Sequence, residues 1–169
     1  MQQRKPTRLQ HFNYAQTGAY FVTICVKDMQ CILAEITRNS VGGGALDAPL
    51  LELTHVGTIV ENEIVKMNTL YSDIKVSKYV IMPNHLHLMI EITRPNGSSR
   101  APTPTPANAL LPQYISTLKR MTNKQCGTAL WQRSFYDHII RDEADYIYHL
   151  QYIEENPKKW VMGRDEYYT

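Results

Sequence analysis

The sequence predicts a single α+β domain in which helices cover one face of an antiparallel sheet. Short apolar segments rich in β-branched and aromatic residues predict strands, and segments with apolar residues every three or four positions predict helices. The segments follow one another in the order β-α-β-β-α-β-α, and the first six match the ferredoxin-like split β-α-β pattern. With 169 residues, 43% of them hydrophobic, the chain is long enough for one such domain with a buried core.

The first half of the chain supplies one strand, one helix and a pair of strands. The segment AYFVTICVK is typical of a buried strand, and the spacing from Val56 to Met67 is typical of a helix. Pro83 and Asn84 separate two further apolar segments and predict a turn between them. The predicted elements are a strand at 19–27, a helix at about 53–68, and strands at 73–82 and 85–92.

The second half adds a helix, a strand and a last helix. Asp142 is a suitable N-cap for that last helix, and Pro157 is expected to end it. Runs of Gly, Pro, Ser and Thr interrupt the pattern twice and predict flexible loops. The predicted elements are a helix at about 109–126, a strand plus a turn at 130–140, a helix from about 143 to 156, and loops at about 40–49 and 95–107.

Charge and cysteine content narrow the functional classes. The net charge is +2, from 18 Lys and Arg against 16 Asp and Glu, so nucleic-acid binding would require charges clustered on one face. The three cysteines form no C-x-x-C motif, which argues against a disulfide framework or a structural zinc site. No apolar run approaches the length of a membrane span, and the first residues lack a signal core. We expect a cytoplasmic protein.

The His85-Leu86-His87 segment is the first candidate for chemistry. Residues i and i+2 of a strand point to the same side, so the two imidazoles lie close enough to share a metal ion while Leu86 points into a core. A catalytic metal normally has about three protein ligands, so this pair alone does not complete a site. The alternative interpretation is a half-buried strand whose outer face carries two structural histidines.

The last helix is the second candidate. Tyr148, Tyr152 and Asn156 are spaced i, i+4 and i+8 and therefore form one stripe. The alternative interpretation is an amphipathic helix with a tyrosine-rich, partly exposed face. An apolar face is expected roughly opposite the stripe and available for docking, made of Ala144, Ile147, Leu150 and Ile153.

Several longer motifs occur together and in a fixed order. They are YFVTICVK (20–27), YVIMPNHLHLMI (79–90), WQRSFYDHIIRDEADY (131–146) and YIEENP (152–157). With them the chain, from about residue 8 to 162, closely resembles the REP-associated tyrosine transposases. These belong to the single-tyrosine HUH transposases of small bacterial insertion sequences, in which HUH denotes His, a hydrophobic residue and His.

This resemblance implies a site and a reaction. It implies His85 and His87 as metal ligands, Asn156 as the third ligand and Tyr152 as the nucleophile, with Tyr148 as the fallback. It also implies a ferredoxin-like fold with a C-terminal catalytic helix. An amide oxygen in the ligand set suits Mg²⁺ or Mn²⁺. The implied activity is cleavage and rejoining of single-stranded, hairpin-bearing DNA through a 5′-phosphotyrosine, in the cytoplasm near the nucleoid, by a monomer or a homodimer.

Candidate DNA contacts are the basic residues. They form groups that could follow a phosphate backbone while tyrosines stack on bases. A rival interpretation is a ferredoxin-like DNA-binding module that derives from such a transposase and does not cut. The candidate DNA-binding residues are Arg4, Arg8, Lys119, Arg120, Lys124, Arg133, His138 and Lys158.

Overall fold

The computed structural model describes residues 17–37, 49–93, 110–165 and 167. Arg4, Arg8, the predicted loop at 95–107 and nearly all of the predicted loop at 40–49 lie outside these residues. The strands are β1 (Gly18–Cys25), β2 (Ala34–Thr37), β3 (Leu50–Leu53), β4 (Ile74–Ile81), β5 (His85–Ile92) and β6 (Tyr136–Ile139), and the helices are α1 (His55–Leu70), α2 (Leu110–Cys126) and α3 (Glu143–Val161).

The main sheet confirms the predicted fold class. Its four strands are all antiparallel and lie in the order β4-β5-β1-β6, which is the order of a ferredoxin-like split β-α-β sheet. The central pair is β1 and β5, in a register that places Thr23 opposite His87 and Cys25 opposite His85. A separate two-stranded hairpin of β2 and β3 precedes α1 and was not predicted from the sequence.

One face of the sheet is a hydrophobic core beneath α1 and α2. The two helices contact each other, and their apolar residues join those of the strands in one buried cluster. Alternate residues of β1 and β5 supply its centre because every second side chain of a strand points to the same face. The cluster members from these two strands are Tyr20, Val22, Ile24, Leu86, Leu88, Ile90 and Ile92.

The other face of the sheet is covered by α3. The aromatic side chains of Phe21 on β1 and His87 on β5 contact the Tyr152 ring of α3. An ion pair between Lys78 of β4 and Glu154, 2.9 Å long, joins the helix to the next strand. The helix that carries the candidate tyrosines therefore packs directly over the two histidines.

The last helix differs from the prediction in its end. It continues through Pro157 to Val161, so Asn156 lies inside the helix and not at its end. Proline removes one helical hydrogen bond. The next turn remains helical because it carries Trp160, whose side chain is buried and lies 6.1 Å from the His85 ring between centroids. Tertiary packing thus offsets the local preference of the proline.

The predicted docking face of α3 is only partly correct, because Ile153 is buried as predicted but the face as a whole does not point inward. Ala144 and Ile147 are exposed, while Ile153, Asn156 and Trp160 are the buried residues of this helix. The sheet face beneath α3 carries polar side chains, so the inward side of the helix is polar as well as apolar, and hydrophobicity alone does not identify it. The N-cap prediction is confirmed, since the Asp142 side chain accepts a hydrogen bond from the Asp145 amide at 2.9 Å.

Within the described part of the chain, none of the helices is long and apolar enough to cross a membrane.

Candidate active site

Two adjacent imidazoles lie beneath α3 at the start of β5. His85 and His87 are fully buried, and their ring centroids lie 4.6 Å apart. Leu86, between them, points into the hydrophobic core on the opposite face. The strand alternation predicted from the sequence therefore places both histidines on one side, in a space closed to bulk water.

Each histidine is held by one ring nitrogen. The Nδ1 atom of His85 lies 2.8 Å from Asn84 Oδ1, and the Nδ1 atom of His87 lies 2.8 Å from Thr23 Oγ1. Because an amide oxygen only accepts hydrogen bonds, His85 donates from Nδ1 and leaves a lone pair on Nε2. Such contacts orient an imidazole for metal binding through its other nitrogen. Thr23 and Asn84 support the two histidines in this way, and no sequence pattern assigns them that role.

Buried polar atoms without a partner converge from β5 and α3. They are His85 Nε2, His87 Nε2 and the Oδ1 and Nδ2 atoms of Asn156. None of them has a hydrogen-bond partner among the described residues. Burying polar atoms without partners costs free energy, so such a set indicates a place for a bound group. Two imidazole nitrogens and an amide oxygen are a suitable donor set for a divalent cation. The residues present therefore fit the metal that the resemblance implies.

The protonation of the pair suits the same role. Burial lowers the pKa of His85 to about 3, although the nearby Asn156 amide acts in the opposite direction. Burial also lowers the pKa of His87 well below its ordinary value, and the charges of His85 and His149 lower it further. Both rings are neutral near pH 7, which is the form of imidazole that binds metal ions.

The structure brings Tyr152, and not Tyr148, against the histidine pair. The Tyr152 ring centroid lies 5.2 Å from that of His87, and the ammonium of Lys159 lies 4.5 Å from the Tyr152 ring centroid. Tyr148 is 61% exposed, and its ring contacts His149. One turn of helix separates Tyr152 from Asn156, so α3 holds a phenol and an amide over the same imidazoles.

A residue near the C-terminus also reaches the pair. The Tyr167 ring centroid lies 4.5 Å from that of His85, and its carbonyl accepts a hydrogen bond from Asn84 Nδ2 at 2.9 Å. The Tyr167 amide in turn donates to Asp165 Oδ1 at 2.7 Å. The sequence does not predict the contacts of Tyr167 with His85 and Asn84, because they join residues that are about 80 positions apart.

The candidate DNA-binding residues that the structure describes do not form one surface. Lys119 donates to the backbone carbonyls of Gln132 and Ser134, at 2.9 and 2.8 Å, and so joins α2 to the segment before β6. Arg120 and Lys124 are exposed on α2, across the sheet from the histidines. Arg133 and His138 are exposed near β6.

A basic surface near Tyr152 lies on α3 and just beyond its end. Lys158 is exposed on this helix. Together with neighbouring residues it lines an open surface cavity of about 300 Å³. The other lining residues are Glu155, Lys159, Met162 and Arg164. Lys158 and Lys159 of this surface therefore lie on the same helix as the candidate nucleophile Tyr152.

Comparison with known proteins supports the family resemblance. The chain is 30% identical to an uncharacterized protein of Haemophilus influenzae over 95% of this chain and 92% of that protein. It is 32% identical to a putative REP-associated tyrosine transposase of the same species, over 47% of each chain. It is 29% identical to a REP-associated tyrosine transposase of Escherichia coli, over 52% of this chain and 47% of that protein. The matches thus span about half the length of the two named relatives.

The fold is shared with a solved structure. A REP-associated tyrosine transposase bound to a REP hairpin aligns with a TM-score of 0.59 and 20% identity, over 90% of this chain and 74% of the other. No family model matches the sequence. In its motifs, in the parts of the chain that match the two named relatives and in its fold, the chain is similar to the REP-associated tyrosine transposases.

Proposed function

We propose that this protein cleaves and rejoins single-stranded DNA with Tyr152 as the nucleophile and with a divalent cation held by His85, His87 and Asn156. The observation that carries this proposal is the group of unpartnered, fully buried polar atoms of these three ligands, directly beside the Tyr152 ring. A hydrophobic packing role would not require buried imidazole and amide atoms without partners.

The cation and its three ligands would have separate roles in the reaction. When bound, Mg²⁺ or Mn²⁺ supplies Lewis-acid polarisation of a backbone phosphate. Asn84 and Thr23 keep the Nε2 atoms of His85 and His87 directed into the site, so the ligands need little rearrangement. The side chain of Asn156 approaches from the facing helix and closes the set.

The protein's own groups carry the transfer. The phenolic oxygen of Tyr152 attacks the phosphorus, a tyrosine–phosphate bond forms, and the bond from phosphorus to the 3′ oxygen breaks. The phenol loses its proton, and the departing strand takes one up as a free 3′-OH. The 5′-phosphotyrosine conserves the phosphodiester linkage, so attack by another 3′-OH rejoins DNA without ATP. Lys159, beside the Tyr152 ring, places a positive charge next to the reacting phenol.

The proposed substrate is a DNA strand that folds into a hairpin, such as a palindromic repeat. Two facts support it. A structural neighbour of this chain was solved with a REP hairpin bound. In addition, Lys158 and Arg164 lie along the tyrosine-bearing helix and its end, where they can meet phosphates.

A denaturing gel tests the proposal. The full chain is incubated with labelled single-stranded hairpin DNA from the repeats of its host genome, with and without Mg²⁺ or Mn²⁺. We expect a metal-dependent band that resists SDS and disappears after protease treatment. It should be absent with Tyr152→Phe and retained with Tyr148→Phe, the matched control on the same helix.

Two other results would overturn the proposal. Cleavage without a covalent band would indicate hydrolysis at the metal site and remove the nucleophilic role of Tyr152. Binding on a native gel without cleavage of any hairpin would indicate a DNA-binding module that does not cut.

A further inference from the structure

A second group of potential ligands lies outside the site described above. The His138 Nε2 atom lies 3.0 and 2.9 Å from the two carboxylate oxygens of Asp145. The His149 Nδ1 atom lies 3.1 Å from Asp145 Oδ1 and 2.9 Å from the Asp145 carbonyl oxygen. The ligand atoms of the three residues all lie within 4.8 Å of one another. Two imidazoles and a carboxylate therefore converge on one point.

Contacts within the fold hold these three residues together. Asp145 and His149 are one turn apart on α3, and their side chains share one side of the helix. The Asp145 carboxylate also accepts a hydrogen bond from the Arg141 amide at 3.0 Å. His138 comes from β6, opposite Phe21 of β1, and its ring stacks on His149 with centroids 4.6 Å apart. The cluster thus joins the edge strand of the sheet to the first turns of α3.

The Asp145 carboxylate is ionised, and the cluster of three residues can be reached from solvent. Burial by itself raises the pKa of Asp145, but hydrogen bonds from His138 and the Arg141 amide, with the charges of both histidines, outweigh it and lower the pKa. The side chains of His138, Asp145 and His149 are 44%, 20% and 13% exposed, so one side of the cluster is open. A cation could enter here without opening the fold.

We propose that His138, Asp145 and His149 form a second cation site, suited to a borderline divalent metal such as Zn²⁺. Two imidazoles and one carboxylate are a ligand set that zinc adopts with one open position. In the structure both imidazoles donate hydrogen bonds to oxygens of Asp145, because carboxylate and carbonyl oxygens only accept. The cation takes the place of the two protons in these hydrogen bonds. A neutral imidazole then carries its proton on its other ring nitrogen, and an imidazolium releases one proton to solvent.

This second site is separate from the histidine pair but adjacent to it. Phe21 lies between the two, with its ring centroid 5.0 Å from that of His87 and 4.7 Å from that of His149. His149 precedes Tyr152 by three residues on the same helix. A cation that ties β6 to α3 therefore fixes the segment from which Tyr152 projects. We therefore expect Zn²⁺ that binds this site to increase the free energy of unfolding.

Zinc titration of the full chain tests the proposal. Binding stoichiometry is measured by competition with a chromophoric chelator, and histidine tautomers are measured by long-range ¹H–¹⁵N NMR. We expect His138 to change from the Nε2–H to the Nδ1–H form and His149 to change in the opposite sense. His138→Gln should weaken binding to this site by at least about 100-fold. His55→Gln, at an exposed histidine on α1, is the matched control and should change nothing.

The outcomes separate this site from the one proposed for catalysis. Loss of one zinc equivalent in His138→Gln, together with the paired tautomer changes, supports the second site even when Zn²⁺ does not bind the His85–His87 pair. Unchanged stoichiometry in His138→Gln and unchanged tautomers at His138 and His149 would overturn it. His87→Gln should leave the tautomer changes intact, because His87 is not a ligand of this site. Circular dichroism confirms that each variant is folded.

Discussion

The two faces of the central sheet are built from the same strands but bury different kinds of side chain. On β5, Leu86, Leu88 and Ile90 point into an apolar core, while His85 and His87 point towards α3. Every one of these side chains is buried. Burial stabilises the protein on the first face through removal of apolar surface from water, whereas on the second face it leaves polar atoms without partners. One face stabilises the fold, and the other carries the residues that we propose as metal ligands.

The largest effect that separates the two faces is on activity. His87→Gln should reduce formation of the covalent DNA adduct by at least about 1000-fold, which corresponds to about 4 kcal/mol of transition-state stabilisation. The glutamine remains polar and similar in size, so the free energy of unfolding should change by only about 1 kcal/mol. The gel assay and urea denaturation measure the two quantities. A variant that still forms the adduct at the original rate would contradict the ligand role of His87.

The next effect is on stability, from the residue that follows His87. Leu88→Ala removes a fully buried side chain from the core and should lower the free energy of unfolding by about 3 kcal/mol. Leu70→Ala, at a leucine that is 67% exposed, should change it by less than about 0.5 kcal/mol. Equal effects of the two substitutions in urea denaturation would refute the assignment of this face to the core.

A third effect concerns pH. In metal-free protein the pKa of His85 is lowered to about 3, so between pH 6.5 and 3 the unfolded chain binds a proton that the folded chain does not. Stability is therefore lost as the pH falls below 6.5, by about 2 kcal/mol for His85 between pH 7 and 5. Denaturation in EDTA measures this. The dependence should flatten in His85→Gln and persist in His55→Gln, and a wild-type protein equally stable at both pH values would contradict it.

The smallest effect tests a residue on β1 that supports the pair. Thr23→Val keeps the shape of the side chain but removes the hydroxyl that lies 2.8 Å from His87 Nδ1. Metal affinity should fall about tenfold because the imidazole loses its orienting partner. Thr37→Val, at an exposed strand threonine, is the control and should leave affinity unchanged. Isothermal titration with Mn²⁺ measures both, and equal affinities in the two variants would show that Thr23 does not orient His87.

The core face could be predicted closely from the sequence, and α3 could not. The predicted strand at 85–92 and helix at about 109–126 agree with β5 and α2 almost residue for residue. Their apolar periodicity can be recognised within each segment, and the same apolar side chains pack in the core. The inward side of α3 does not follow its apolar residues. Ile147 is apolar but 46% exposed, and Asn156 is polar but buried. The hydrophobic pattern fails where a helix packs on a polar sheet face.

The sequence by itself determined the fold class and, through strand alternation, the shared side of His85 and His87, because these depend on residue type and spacing along one element. Only the tertiary structure decided which tyrosine lies against the histidines, how Thr23 and Asn84 hold them, and that His138 meets Asp145 and His149. Most of these contacts join residues from different elements. Their geometry is set by how α3 packs on the sheet, which no periodicity within one segment encodes.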